Sequence, residues 1–148
     1  MVMLTVGIVI MRYGFNLGWI WLQESVTYMH AAVFMLAAAW TLQEDGHVRV
    51  DIFYRARSPR YQAWVNLSGI VFLLLPTCIF LLLVGWDYVL SSWKLQEQSR
   101  EAGGLPAVYL LKTMILLMPA LLILQAVPWV VRSVRVLRGK AEGMAAGT

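Results

Sequence analysis

The chain has 148 residues, 60% of them hydrophobic, and its mean hydropathy is +0.68. An ordinary soluble domain contains about 45 to 50% apolar residues, so the composition argues against a water-soluble fold. The formal charge of +4 does not indicate a nucleic-acid partner, because in a membrane protein the position of the basic residues carries the information. Cys78 is the only cysteine, which excludes a disulfide framework and a cysteine metal site.

Four apolar runs predict an all-α integral membrane protein in a single domain over 1–148. A spanning helix needs about 20 apolar residues, and the runs lie at about 1–14, 23–43, 62–87 and 106–131. The first is short for a span, and we expect a clipped start. A signal peptide is disfavoured, because no basic segment precedes the run and no small-residue cleavage site follows it. Pro106 suits the first position of the last helix.

Basic residues predict the orientation of the chain. They form two clusters, after the second and the fourth runs: Arg49, Arg55, Arg57 and Arg60, then Arg132, Arg135, Arg138 and Lys140. Cytoplasmic connections are rich in Lys and Arg, so we expect both clusters and both termini in the cytoplasm, with a tail over 132–148. Trp40 and Trp129 are expected at the inner interface. The segment 46–60 alternates apolar and polar residues, which favours an in-plane amphipathic stretch.

Residues suited to catalysis or cofactor binding are few. His30 and His47 are the only histidines, and at 1.5 Å per helical residue they lie roughly 25 Å apart, too far to ligate one haem. We expect His30 to pack against a neighbouring helix. No catalytic triad or phosphate-binding loop is apparent. The sequence therefore predicts no enzyme, no cofactor and no metal site.

Most charges lie near the ends of the apolar runs, whereas ion and substrate pathways usually need ionisable groups at membrane depth. A coupling site within this chain is therefore not expected. Lys112 lies inside the fourth run, where its stem can carry the ammonium group to the outer interface. Glu24 is expected to complement the positive end of the second helix, or to pair with Arg12. The loop Ser91 to Pro106 is expected to be an exposed outer connection or a docking surface.

Several motifs together resemble the small permease subunit of TRAP transporters, the DctQ-like subunit. They are Arg12, Tyr13, Asn16, Trp21, Glu24 and the run His47, Val48, Arg49, Val50 and Asp51. The resemblance covers nearly the whole chain. The segments Asp51 to Arg55, Ser99 to Pro106 and Leu121 to Gln125 are similar to a branch labelled for mannitol and chloroaromatic compounds, whose relatives also carry 2-oxo acids and other monocarboxylates.

The resemblance implies a tripartite system in the bacterial inner membrane. A periplasmic binding protein would deliver an organic anion to a complex of this small subunit with a large permease subunit. Sodium would drive uptake and bind at the large subunit, while this chain, surrounded by membrane lipid, braces the scaffold. Relatives have a longer first helix. The candidate interface residues are Arg12, Tyr13, Asn16, Trp21, Glu24, His47, Arg49, Asp51, Glu97, Ser99, Arg100 and Pro106.

Two alternatives come from other classes of membrane protein. A self-sufficient small multidrug-type exporter also uses four helices, but it needs a carboxylate in the middle of its first helix, and the first run has none. A membrane anchor subunit of a redox enzyme would clamp haem between facing histidines, which the spacing of His30 and His47 disfavours.

Overall fold

The computed structural model describes residues 1–44 and 57–138. These residues form four helices and no strand: α1 (Val2–Gly14), α2 (Ile20–Gln43), α3 (Pro59–Lys94) and α4 (Val108–Leu137). The last three are long and apolar enough to cross a membrane, and α1 is a shorter apolar helix. The predicted all-α membrane fold is confirmed. Most of the surface segment 46–60 and of the tail 132–148 lies outside the described residues.

Helix α1 has 13 residues, and at 1.5 Å per residue it measures about 20 Å. The hydrocarbon core of a bilayer is about 30 Å thick, so this helix alone does not cover it. Its last turn carries Arg12, and the connection to α2 includes Asn16 in the left-handed region, with φ +56°. Asparagine tolerates that conformation better than most residues.

The four helices pack as a single layer. Helix α1 contacts α2, α2 contacts α4, and α4 contacts α3, while α2 and α3 do not pack against each other within the described residues. The order across the layer is therefore α1, α2, α4, α3. Because α4 has a helix on each side, the buried residues collect on α3 and α4, and α2 has none.

Buried residues at intervals of about seven, most of them small, form the seam between α3 and α4. The buried positions on α3 include Ala63, Ile70, Cys78, Gly85 and Ser92, and those on α4 are Pro119, Ala126 and Ser133. Seven-residue spacing keeps one face of a helix against its partner. Small residues allow backbones to approach closely within lipid, where packing replaces the hydrophobic effect as the driving force.

A π turn over Ile70–Leu74 interrupts the regular geometry of α3. The Leu75 N–H donates to the Ile70 carbonyl, five residues back. The next residue, Pro76, has no backbone N–H to donate. The step from Ile70 to Cys78 is eight residues instead of seven, and the wider turn absorbs the extra residue. The seam therefore stays on one face of the helix along its whole length.

Helix α3 begins three residues before the predicted span 62–87 and ends seven residues after it. Its 36 residues measure about 54 Å, well beyond the thickness of the hydrocarbon core. Asp87 does not end the helix because its side chain is exposed, while Val89 and Ser92 on the opposite face stay buried against α4. The extension moves the start of the connecting loop to Leu95.

The two ends of the layer differ in chemistry. We call the end that holds the loop 95–107 the loop end, and the end that holds Arg132, Arg135 and Arg138 the basic end. At the basic end the indole Nε1 of Trp129 donates to the Leu42 carbonyl at 3.1 Å, which ties α4 to the last turn of α2. Between the ends, large apolar side chains cover the surface of the layer.

Candidate functional site

Two carboxylates at the loop end are held by protein groups. Glu24, in the second turn of α2, is partly buried. Its carboxylate accepts the hydroxyl of Ser99 and the backbone N–H of Leu105, the latter at 2.6 Å. The Ser99 hydroxyl in turn accepts the N–H of Glu101 at 3.2 Å. One carboxylate thus holds both sides of the loop against α2.

A second carboxylate holds the start of the loop against α4. Glu97 forms an ion pair with Lys112 and accepts the Ser92 hydroxyl at 2.7 Å. The Lys112 ammonium also lies 4.0 Å from the centre of the Tyr88 ring, within the range of a cation–π interaction. Hydrogen bonds from Lys112, then from Ser92, hold the pKa of Glu97 below its usual range. Glu97 therefore stays ionised in mild acid.

We call this group of five residues, Glu24, Glu97, Ser99, Leu105 and Lys112, the loop clasp. Trp93 packs beside the loop clasp. The indole Nε1 of Trp93 donates to the Thr113 hydroxyl at 2.9 Å, and the Trp93 ring meets the Tyr109 ring edge to face, with 4.7 Å between ring centres. Aromatic pairs in this geometry are worth about 0.5–1.5 kcal/mol beyond their buried area. The contacts join the last turn of α3 to the first turns of α4.

The loop backbone reaches the clasp through two residues in the left-handed region and one close approach. Gln96 has φ +48° and Gly103 has φ +81°. At Gly104 a Cβ atom would clash with the hydroxyl oxygen and the Cβ of Ser99 and would lie 2.8 Å from Oε2 of Glu24, so a side chain there would disrupt the contact between Ser99 and Glu24. The two glycines are therefore required for different reasons: Gly103 for its backbone angle, Gly104 for space.

The predicted interface residues other than Pro106 divide into four groups. Glu24, Glu97 and Ser99 meet in the loop clasp, whereas Arg12, Tyr13, Trp21 and Arg100 have exposed side chains. Asn16 lies in the connection between α1 and α2. His47, Arg49 and Asp51 lie outside the described residues.

Glu24 does not have its expected role, whereas Lys112 reaches the expected end of its helix and also binds a partner there. Glu24 binds the loop instead of complementing its own helix terminus, and within the described residues it forms no ion pair with Arg12. The Lys112 stem does run towards the loop end, but its ammonium group is held by Glu97 and is not left free at the interface. Both differences arise because the loop folds back over the helix ends.

Two further residues lie elsewhere than predicted. His30 is exposed and stacks on Phe34 of its own helix, with 6.4 Å between ring centres, instead of packing against a neighbouring helix. Pro106 lies two residues before α4, since helical geometry begins at Val108 and Ala107 has φ −144°. Among the described residues, no group of three or more His, Cys, Asp or Glu could hold a metal ion.

The sequence reasoning missed Ser92, Tyr88 and Trp93 as parts of the site. A signal was available: Gly85 and Ser92 are small residues seven positions apart, which marks the face of α3 that packs on α4. Tyr88 precedes Ser92 by one turn and shares that side of the helix. Extending this face past Asp87 would have placed Tyr88 and Ser92 at the end of α3 that meets the start of α4.

One protein family matches nearly the whole chain, including the loop clasp. Residues 1–136 match the family described as tripartite ATP-independent periplasmic transporters, DctQ component. Neither the curated proteins nor the solved structures gave a match to this chain. The matched range contains the whole loop clasp. It also contains all four helices, apart from the last residue of α4, Leu137. The chain is therefore a membrane protein of the DctQ family, the small permease component of TRAP transporters.

Proposed function

We propose that this chain is a non-catalytic scaffold subunit that braces the large permease subunit of a TRAP transporter in the bacterial inner membrane. The observation that carries the proposal is the single layer of helices. Helices α2 and α3 each pack on α4 but not on each other within the described residues, so both faces of the layer present apolar side chains. A layer one helix thick gains from a second layer of transmembrane helices packed on it.

The distribution of charge supports a bracing role over a transporting one. Between Glu24 and Glu44 the sequence has no Asp, Glu, Lys or Arg, and the charged residues of α3 and α4 lie near the helix ends. Transport sites usually depend on ionisable or polar groups near the bilayer midplane. We infer that the sites for substrate and sodium belong to the large subunit.

We further propose that the loop end faces the periplasm and the basic end the cytoplasm. The supporting observation is that arginines at the start of α3 and the end of α4 share the basic end, as cytoplasmic connections favour. The loop end then lies where a periplasmic binding protein delivers its solute. By resemblance to the branch noted above, that solute is an organic acid taken up with sodium.

Co-purification tests the scaffold role. The full chain, expressed with the large permease subunit, is extracted in mild detergent, and we expect a stable complex on size exclusion. Tryptophan substitutions at exposed apolar positions, Phe34 on α2, Leu83 on α3 and Leu124 on α4, should disrupt the complex only where that position faces the partner. A chain that elutes alone and monomeric, with no variant altering its elution, contradicts the proposal.

Uptake by the reconstituted three-component system tests the transport role. We expect accumulation of a monocarboxylate only when all three proteins are present, and only with an inward sodium gradient. Replacing sodium by potassium should abolish it. Liposomes that contain this chain alone serve as the control, since solute movement there would favour the small exporter instead.

A further inference from the structure

A narrow apolar groove runs between α3 and α4 near the basic end. Its volume is about 170 Å³, and it is lined entirely by apolar residues: Ile70, Leu75, Ile123, Ala126, Val127, Val130 and Val131. Ile70 begins the π turn of α3 and Leu75 directly follows it, so the groove lies where this helix is widest. Val127 and Val131 are about half exposed, which leaves the groove open to its surroundings.

The mouth of the groove is positively charged. Val127, Val131 and Arg135 follow one another at four-residue intervals, so they lie along one side of α4. Arg138 stands about three turns from Val127 and returns to nearly the same side. Both guanidinium groups are exposed, and no carboxylate of the described residues forms an ion pair with either. Further exposed cations at this end are Arg57, Arg60 and Arg132.

The dimensions fit one leaflet of a bilayer. From Ile123 to Val131 the groove extends about 12 Å along α4, while half of a hydrocarbon core is about 15 Å. Trp129, whose indole Nε1 donates to the Leu42 carbonyl, lies near the basic end of the groove, and indoles favour the membrane interface. The arginines then stand among headgroups, one to three turns beyond the groove.

We propose that the groove between α3 and α4 binds one anionic phospholipid, with an acyl chain along Ile70 and Val127 and the phosphate held by Arg135 and Arg138. Guanidinium groups bind phosphate oxygens in a bidentate manner, which a free ammonium group cannot do. A liquid water molecule takes about 30 Å³, so the groove holds a short stretch of hydrocarbon chain but is too small for another helix. The lipid would fill the gap that the π turn leaves beside the seam.

Lipid retention tests the charged half of the site. The full chain, with its permease partner, is purified in mild detergent from membranes that contain phosphatidylglycerol, and the lipid bound per protein is counted by native mass spectrometry. The double variant Arg135→Gln with Arg138→Gln should retain about tenfold less phosphatidylglycerol. The matched control, Lys94→Gln with Arg100→Gln, removes the same charge from the loop end and should retain it within about twofold.

A second pair of variants tests the apolar half. Val127→Trp fills the groove and should release the lipid although both arginines remain, whereas Leu117→Trp adds the same ring at an exposed position of α4 outside the lining and should not. Equal retention in all variants, or loss in both control variants as well, overturns the site. Retention of neutral and anionic lipids in equal amounts also overturns it. If no complex with the permease forms, the scaffold role fails, but lipid counts on the free chain still decide this proposal.

Discussion

The strongest prediction concerns Glu24, because one carboxylate accepts two hydrogen bonds from a loop far along the chain. In Glu24→Ala both the Ser99 hydroxyl and the Leu105 N–H lose their acceptor. A partly buried donor left without a partner costs about 1–3 kcal/mol. Two such losses, partly relieved by water at this end of the layer, should weaken closure of the loop by about 2–4 kcal/mol.

Hydrogen exchange at the Leu105 amide measures this closure directly. A change of about 1.4 kcal/mol alters an equilibrium tenfold, so the amide should exchange roughly 30-fold to several hundredfold faster in the variant. Glu101→Ala is the matched control, since it removes an exposed carboxylate from the same loop. Exchange at Leu105 that is unchanged in Glu24→Ala, or equally fast in the control, would refute the idea that Glu24 holds the loop.

Two further predictions concern the seam and the acid stability of the clasp. At Gly85 a Cβ would lie 3.1 Å from Cδ2 of Leu116, so Gly85→Leu should lower the unfolding free energy in detergent by about 1–3 kcal/mol. The control is Gly69→Leu, because the space around Gly69 is open. Equal losses of unfolding free energy in the two variants would contradict close packing at Gly85. The pKa of Glu97 is lowered in the fold, so its stabilisation is present above the ordinary carboxyl pKa and lost as pH falls through the lowered value. Thermal unfolding from neutral to acid pH should show this loss, and Lys112→Met should flatten that dependence; an identical pH profile in the variant would exclude the ion pair as its source.

The apolar runs predicted the fold class well, because a spanning helix is defined by length and hydropathy, which are local properties. The second and fourth runs correspond to α2 and α4. The extent of α3 was harder to predict. Pro76 and Asp87 are both residues at which a membrane helix could end. The π turn accommodates Pro76, and the side chain of Asp87 is exposed, so the helix continues past both. Continuation of the helix depends on contacts with α4, which no local window contains.

The loop clasp could not be predicted as a unit for a related reason. Glu24 and Ser99 are 75 residues apart, and Glu97 lies 15 residues before Lys112. Each side chain alone has an ordinary explanation at a helix end or in an exposed loop. Only the order of helices across the layer, with α2 and α3 on opposite sides of α4, brings the loop over all three helix ends.

That order gives the loop clasp a mechanical role within the layer. Since α2 and α3 do not pack on each other in the described part of the chain, each could swing about α4. At the loop end, Glu24 of α2 and Ser92 of α3 bind the same loop, and Lys112 of α4 binds it through Glu97. At the basic end, Trp129 joins α4 to α2. The polar contacts therefore link α2 and α3 to α4 through the loop at one end and link α2 to α4 at the other, although α2 and α3 do not contact each other among the described residues.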